Sequence, residues 1–158
     1  MSYTGQAPPL TNEETESLLM ENNTARICTH NKDGTIHAIP VSYRYIDRQI
    51  VLLSYASSRK TRNIKRNNDV TVLIDTVSGK GVLIYGKAEL EYGNVYQMAL
   101  SVWEKSYHAP RDRFERFVQA ALEKVKMVTV RVTPKRVITF DYAKDDVYNN
   151  LVKTHLQE

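Results

Sequence analysis

Five cations and three aliphatic hydroxyls crowd the stretch "YASSRKTRNIKRNND", Tyr55–Asp69, with no acid before its last residue. The cations are Arg59, Lys60, Arg62, Lys65 and Arg66, and only one large aliphatic residue, Ile64, could anchor the segment to a core. With Ser57 or Ser58 as N-cap, "SSRKTRNIKR" starts a helix directly after a strand. A helix N-terminus already carries about half a unit of positive charge and several unpaired N–H groups. Arg59 and Lys60 in that first turn oppose the field unless an anion sits there. Hydroxyls, free amides, a guanidinium fork and an ammonium together make a phosphate cradle. The competing reading is a solvated basic face, and composition alone leaves the two open.

Other chemistry is thinly represented. His30, His37, His108 and His155 are scattered, with no pair at metal-ligand spacing, so no metal site is predicted. The single cysteine, Cys28, excludes an internal disulfide framework and a multi-cysteine zinc site. Its place in "ARIC" predicts a buried, inert thiol. No dinucleotide fingerprint, Walker A sequence or G-x-S-x-G elbow occurs, which argues against nucleotide hydrolysis and serine-esterase chemistry. No pair of acids can be brought together from sequence, so no catalytic residue is assigned. Trp103 lies on an apolar stripe and predicts core or subunit contact. Tyr43, Tyr45, Tyr55 and Tyr85 lie in or beside strands.

The net charge of +4 and pI of about 9.1 favour anionic partners. No recognition helix with interleaved aromatics accompanies the basic segment, so nucleic acid is the weaker partner class. No apolar run approaches the roughly 18–20 residues that span a bilayer, and "MSYTGQAPPLTNEE" lacks a signal-peptide pattern. A cytoplasmic location is the expectation. The 158 residues, 42% hydrophobic and 25% charged, suit one soluble domain over 1–158.

The elements that must position these residues follow from periodicity. After an extended arm (1–10), Thr11 and Glu14 make a capping-box pair for an N-terminal helix over about 11–23. "TARICTH", "TIHAIPVSYRY" and "RQIVLLSY" read as strands, joined by "NKDG" and a turn at Asp47. In the second, His37, Ile39, Val41, Tyr43 and Tyr45 share a face, and Pro40 suggests an edge or bulge. "DVTVLID" and "GKGVLIYGKAELEY" follow, with Gly86 marking a bulge or close approach. Two amphipathic helices carry Val95, Met98, Ala99, Val102 and Trp103, then Phe114, Phe117, Val118, Ala121, Leu122 and Val125. "KMVTVRVTP" and "RVITFDY" read as two further strands, and a C-terminal helix is expected over about 144–156. Some seven short strands with helices at the margins predict a mainly β fold, an antiparallel sheet or barrel with peripheral helices.

In that order of elements, "ARICTHNKDGTIHAIPVSYRYIDRQIVLLSYASSRKTRNIKRNNDVTVLIDT" and "GVLIYGKAELE" resemble the pyridoxamine 5′-phosphate oxidase-like family of FMN-binding split barrels. The closing "VTVRVTPKRVITFDY" extends the likeness over most of the chain. The resemblance implies a homodimer of six-stranded antiparallel split β-barrels with FMN in clefts at the subunit interface. It places Ser58, Arg59 and Lys60 on the flavin phosphate, with Ser57 and Thr61 as supporting hydroxyls. It lays the backbone of Ile39, Pro40, Val41, Ser42 and Tyr43 along the isoalloxazine and ribityl chain. Leu53 and Ser54 would border the site, and Asn63 would lie near the ribityl or phosphate region. The arginine-rich C-terminal signature of true pyridoxamine phosphate oxidases is missing, which argues against vitamin B6 oxidation. The implied activity is an FMN-dependent oxidoreductase acting on a small molecule. Alternatives are a deazaflavin-dependent reductase, a non-enzymatic flavin carrier or sensor, and a haem-binding split barrel with His155 as a lone candidate ligand.

Overall fold

Alternation of apolar residues sets the strands, and their pairing closes the sheet on itself. The structure, a computed structural model, describes residues 7–157. Residues 1–6 of the expected arm lie outside the described part, as does Glu158. Six strands, β1 (Thr24–His30), β2 (Ile36–Ile46), β3 (Gln49–Tyr55), β4 (Asp69–Asp75), β5 (Lys80–Glu91) and β6 (Met127–Asp141), form an antiparallel barrel. Their order around it is β1-β2-β3-β6-β5-β4. Helices α1 (Asn12–Glu21), α2 (Arg59–Arg66), α3 (Val95–Trp103), α4 (Arg111–Lys124) and α5 (Asp146–Leu156) lie at its periphery. Among the described residues no helix is long and apolar enough to cross a membrane.

One expectation needs correcting. "KMVTVRVTP" and "RVITFDY" are a single strand, β6, rather than two. Pro134 does not end it, because the register against β5 shifts there: Gly86 faces Pro134 and Tyr85 faces Arg136. Lys135 is thus the extra residue of a bulge, and the ladder passes a residue that has no N–H to give. Gly86 admits this because a Cβ on it would lie 2.7 Å from the Thr133 carbonyl oxygen.

Barrel closure buries one face of every strand. Ile27, Tyr43, Ile50, Leu52, Val72, Ile74, Val82, Ile84, Val128, Val130 and Val132 fill the interior, and Leu18 and Leu19 of α1 close one end. The Thr11 hydroxyl accepts from the Glu14 amide at 3.1 Å, and Glu14 Oε2 accepts from the Thr11 amide at 2.7 Å, so the capping box forms as read. Outside the barrel a second core joins Leu53 of β3 to Ala99, Leu100, Phe114 and Val118 of α3 and α4. Trp103 packs against that core and stacks on Phe117 at 6.1 Å. Cys28, expected to be buried, is half-exposed on the outer face, since Ala25, Ile27 and Thr29 take the inward positions of β1. Partial burial still pushes its thiol pKa up, which disfavours the reactive thiolate.

The barrel is unevenly sewn. β2 pairs with β1 along Ile36–Ser42 but with β3 only over Tyr43–Ile46. On the other side of β1, β4 pairs only with Arg26–Cys28. Ile36–Ser42 therefore has a strand on one flank alone, and Pro40 sits in that edge segment as its chemistry requires. The hairpin from β2 to β3 turns through Asp47 and Arg48 at φ 51° and 61°, the left-handed pair that a tight two-residue hairpin needs.

Candidate functional site

Everything about the start of α2 is arranged around the Ser58 hydroxyl. Ser58 is the N-cap, extended at φ −68° and ψ 159°, and its Oγ accepts from the Thr61 amide at 3.3 Å. Thr61 Oγ1 donates to the Tyr55 carbonyl at 2.8 Å, so toward its other neighbours it can only accept. Ser54 Oγ lies 2.7 Å from Thr61 Oγ1 and 2.8 Å from Ser58 Oγ. Ser54 and Thr61 are buried while Ser58 is partly open. With Thr61 accepting, Ser54 donates to Thr61 and Ser58 donates to Ser54, so the two buried hydroxyls fix the third, and Ser58, the partly open one, turns its O–H toward a ligand only by giving up Ser54.

The first turn is otherwise electropositive and unanswered. It holds no acidic residue, and the amides of Arg59 and Lys60 have no partner among the described residues. Lys60 is half-buried, and burial alone pulls its pKa below the ordinary lysine value. No carboxylate stands within ion-pairing distance of it among the described residues. A desolvated cation beside free amides and a poised hydroxyl is an arrangement that a phosphate completes.

Two clefts flank this helix start. One, of about 560 Å³, runs past Tyr55, Ala56 and Ser57 toward Lys124–Lys126 at the end of α4. The other, of about 460 Å³, lies between α2 and the β1–β2 turn, with Arg59 and Asn63 on its wall. Asn63 is buried, and its Nδ2 donates to Thr29 Oγ1 and to Asn31 Oδ1, each at 3.0 Å. Thr29 pairs with His37, so Asn63 ties α2 to the end of β1, one strand from the open edge of β2.

The residues read from sequence thus divide. Ser57, Ser58, Arg59 and Lys60 gather at the helix start, with Ser54 and Thr61 behind them. Ile39, Pro40, Val41 and Ser42 lie on the one-sided stretch of β2, where main-chain groups are free of a second strand. Ile39 and Val41 turn their side chains to the core, which leaves the backbone, Pro40 and Ser42 to face outward. Tyr43 is buried, its O–H donates to the Leu19 carbonyl at 2.8 Å, and burial raises its pKa. Leu53 lies under α3 and α4, so its side chain reaches no cleft at α2. Arg62 and Arg66 are exposed and line the second cleft with Lys32 and Asn31. Their spacing carries that signal, since Arg59, Arg62, Asn63 and Arg66 fall at i, i+3, i+4 and i+7. Among the described residues no group of histidine, cysteine or acidic side chains is placed to hold a metal.

A family model described as pyridoxamine 5′-phosphate oxidase matches residues 11–141. The chain belongs to that family. Among solved structures, a conserved hypothetical protein of Mycobacterium tuberculosis is 25% identical with a TM-score of 0.76, over 91% of this chain and 92% of its own. An FAD-binding protein of Mesorhizobium loti, 21% identical, gives a TM-score of 0.63 over 84% of this chain and 96% of its own. An F420 reductase, 18% identical, gives 0.63 over 80% and 98%. The last two likenesses show the shared fold. No curated protein sequence matches the chain. The oxidase family's split barrel is the six-stranded barrel described above.

Proposed function

We propose that the protein binds a flavin by its phosphate, FMN in the first instance, and works as a flavin-dependent oxidoreductase on a small molecule. The whole chain, 1–158, would form one cofactor-binding unit, acting as a homodimer. One observation carries the reading: Lys60 is half-buried, and among the described residues it has no counter-ion and the first amides of its helix have no partner. Family membership and the FAD-binding relative support it.

Ser58 would donate its hydroxyl to a phosphate oxygen, and the Arg59 and Lys60 amides would donate along the helix axis. Lys60 supplies charge from a desolvated position, where its attraction is screened less than at the surface. Ser54 and Thr61 hold the Ser58 rotor without touching the ligand. The open edge of β2 offers main-chain groups of Ile39–Ser42 to hydrogen-bond a planar ring, while Ile39 and Val41 stay anchored in the core. The flavin, when bound, supplies the hydride or electron chemistry, and the protein contributes position and electrostatics.

Absorbance and fluorescence titration of cofactor-free protein with FMN test this. Lys60→Ala should weaken FMN about tenfold or more, the scale of a lost hydrogen bond to a charged group. Lys65→Ala should leave it nearly unchanged, because Lys65 lies over the Tyr92 ring at 5.8 Å and lines neither cleft beside the helix start. Equal losses would mean a diffuse basic surface. A folded protein that takes no FMN would end the proposal, and one that binds without oxidising any reduced nicotinamide would move it toward a flavin carrier.

A further inference from the structure

Next to the cleft that meets Ser57, and sharing Val125 and Lys126 with it, lies a third cleft of about 580 Å³. It opens between the residue after β5, Tyr92, and the two outer helices, with Val95 of α3 and Leu122 of α4 in its wall. Met127, the first residue of β6, completes the lining, and none of the lining residues is acidic. Val95, Leu122 and Met127 also pack on the second core, so the inner wall of the cleft is the outer skin of that core. The volume is that of a small-molecule site, about 300–1,000 Å³.

Val125 is the residue that packing does not explain. It belongs to neither core and is 37% exposed, between the exposed Lys124 and Lys126. Its backbone cannot turn the side chain inward. Val125 caps α4 in an extended conformation, φ −133° and ψ 131°, and its amide donates to the Ala121 carbonyl at 3.1 Å. One residue on, the Lys126 carbonyl accepts from the Ala56 amide of the neighbouring segment at 2.9 Å. An isopropyl group is thus held at the surface, beside a cation, in an apolar cleft. A second ammonium stands close by, because Lys65 Nζ lies 5.8 Å from the centre of the Tyr92 ring. Neither Lys65 nor Lys126 forms an ion pair among the described residues.

We propose that this third cleft binds an amphipathic carboxylate, a molecule with a flexible apolar chain and one anionic head. The chain covers Val95, Leu122, Val125 and Met127, where each methylene taken from water is worth up to about fourfold in affinity. The head meets Lys126, and Lys65 adds charge across the Tyr92 ring. The site is separate from the flavin phosphate reading, since neither Ser58 nor Lys60 lines it.

Trp103, the sole tryptophan, packs on the same core as Val95, Leu122 and Met127 and reports binding by its fluorescence. Cofactor-free protein is titrated with decanoate, hexanoate and decanol, each below the concentration at which it aggregates. Hexanoate, four methylenes shorter, should bind about tenfold or more weaker than decanoate. Decanol should bind about fivefold weaker, the upper range for an exposed ion pair. Lys126→Gln should lower decanoate to the affinity of decanol and leave decanol unchanged. Val125→Asp, at a position the cores do not use, should weaken both, decanoate the more. Lys135→Gln, at the β6 bulge, should change neither. Calorimetry on FMN-loaded protein should return the decanoate affinity of the cofactor-free form. Equal decanoate affinity in wild type, Lys126→Gln and Val125→Asp would mean unspecific adsorption, and displacement of FMN by decanoate would put the ligand in the cofactor cleft. Either result overturns the site, as does a wild type that binds no decanoate. A protein that takes no FMN ends the flavin reading and leaves the titrations of cofactor-free protein to decide this one.

Discussion

Lys60 is the residue whose environment makes the sharpest claim. Its ammonium is desolvated by partial burial, so its folded pKa lies below the 10.5 of a free lysine. Between those two values the unfolded chain binds more protons than the folded one, and the stability of the free protein rises with pH across that window. An anion beside Nζ restores the charged form and flattens the rise. Denaturant midpoints of cofactor-free protein, measured at increasing pH up to 10.5, should climb more in wild type than in Lys60→Met. The comparison is needed because Lys105 is lowered by burial as well, while Tyr43 and Tyr45 are raised. Identical pH profiles for the two proteins would show that Lys60 carries no such penalty. The hydroxyls behind it make a second claim at this scale. Thr61→Val keeps the shape but removes the acceptor of the Ser54 hydroxyl and one of the donors to the Tyr55 carbonyl, which keeps the Ser58 amide at 3.0 Å, so it should loosen FMN by freeing the Ser58 rotor. Direct loss of a ligand contact is not involved, because Thr61 is fully buried. A crystal structure of the variant with Ser58 unmoved and affinity unchanged would remove Thr61 from the positioning role.

At the scale of elements, sequence went furthest where a local rule and the tertiary need agreed. The capping box at Thr11, the alternation in β2, the helix after Tyr55 and its anchor Ile64, 3% exposed in the barrel core, were all legible for that reason. Three features escaped because non-local geometry decides them. Pro134 suggested a break between strands, yet the gap is a bulge whose accommodation depends on Gly86 across the ladder. The packing of Leu53, expected to border the cofactor at the end of β3, is set by α3 and α4, which lie more than forty residues further along and cover its side chain. Cys28 sits in an apolar run that alternation, rather than hydrophobicity, divides between two faces. The bulge yields a direct prediction. A Cβ at Gly86 would meet the Thr133 carbonyl oxygen at 2.7 Å and Val132 Cγ1 at 2.8 Å, and neither backbone oxygen nor core methyl can withdraw cheaply. Gly86→Ala should cost about 1–3 kcal/mol, as overpacking does, read by urea denaturation. An unchanged midpoint would mean that the β5–β6 pairing slides freely at this point.

The barrel as a whole is rigid on one side and open on the other, and that asymmetry is what gives the α2 site a neighbour. β5 and β6 pair along nearly their full lengths, from Lys80–Asp141 to Glu91–Thr129, whereas β2 joins β3 only from Tyr43 to Ile46 and has β1 alone beside Ile36–Ser42. Segments with unpaired main-chain groups open at low free energy, while fully laddered strands open only with the whole fold. Amide hydrogen exchange on cofactor-free protein should therefore be faster across Ile36–Ser42 than across Lys80–Glu91. FMN should slow exchange in Ile36–Ser42 and at the Arg59 and Lys60 amides together, since one ligand would span the strand edge and the helix start. Protection confined to Arg59 and Lys60 would describe a bare phosphate site with the ring held elsewhere. Protection spread evenly over the barrel would reflect global stabilisation by mass action and would separate the open edge of β2 from the cofactor altogether.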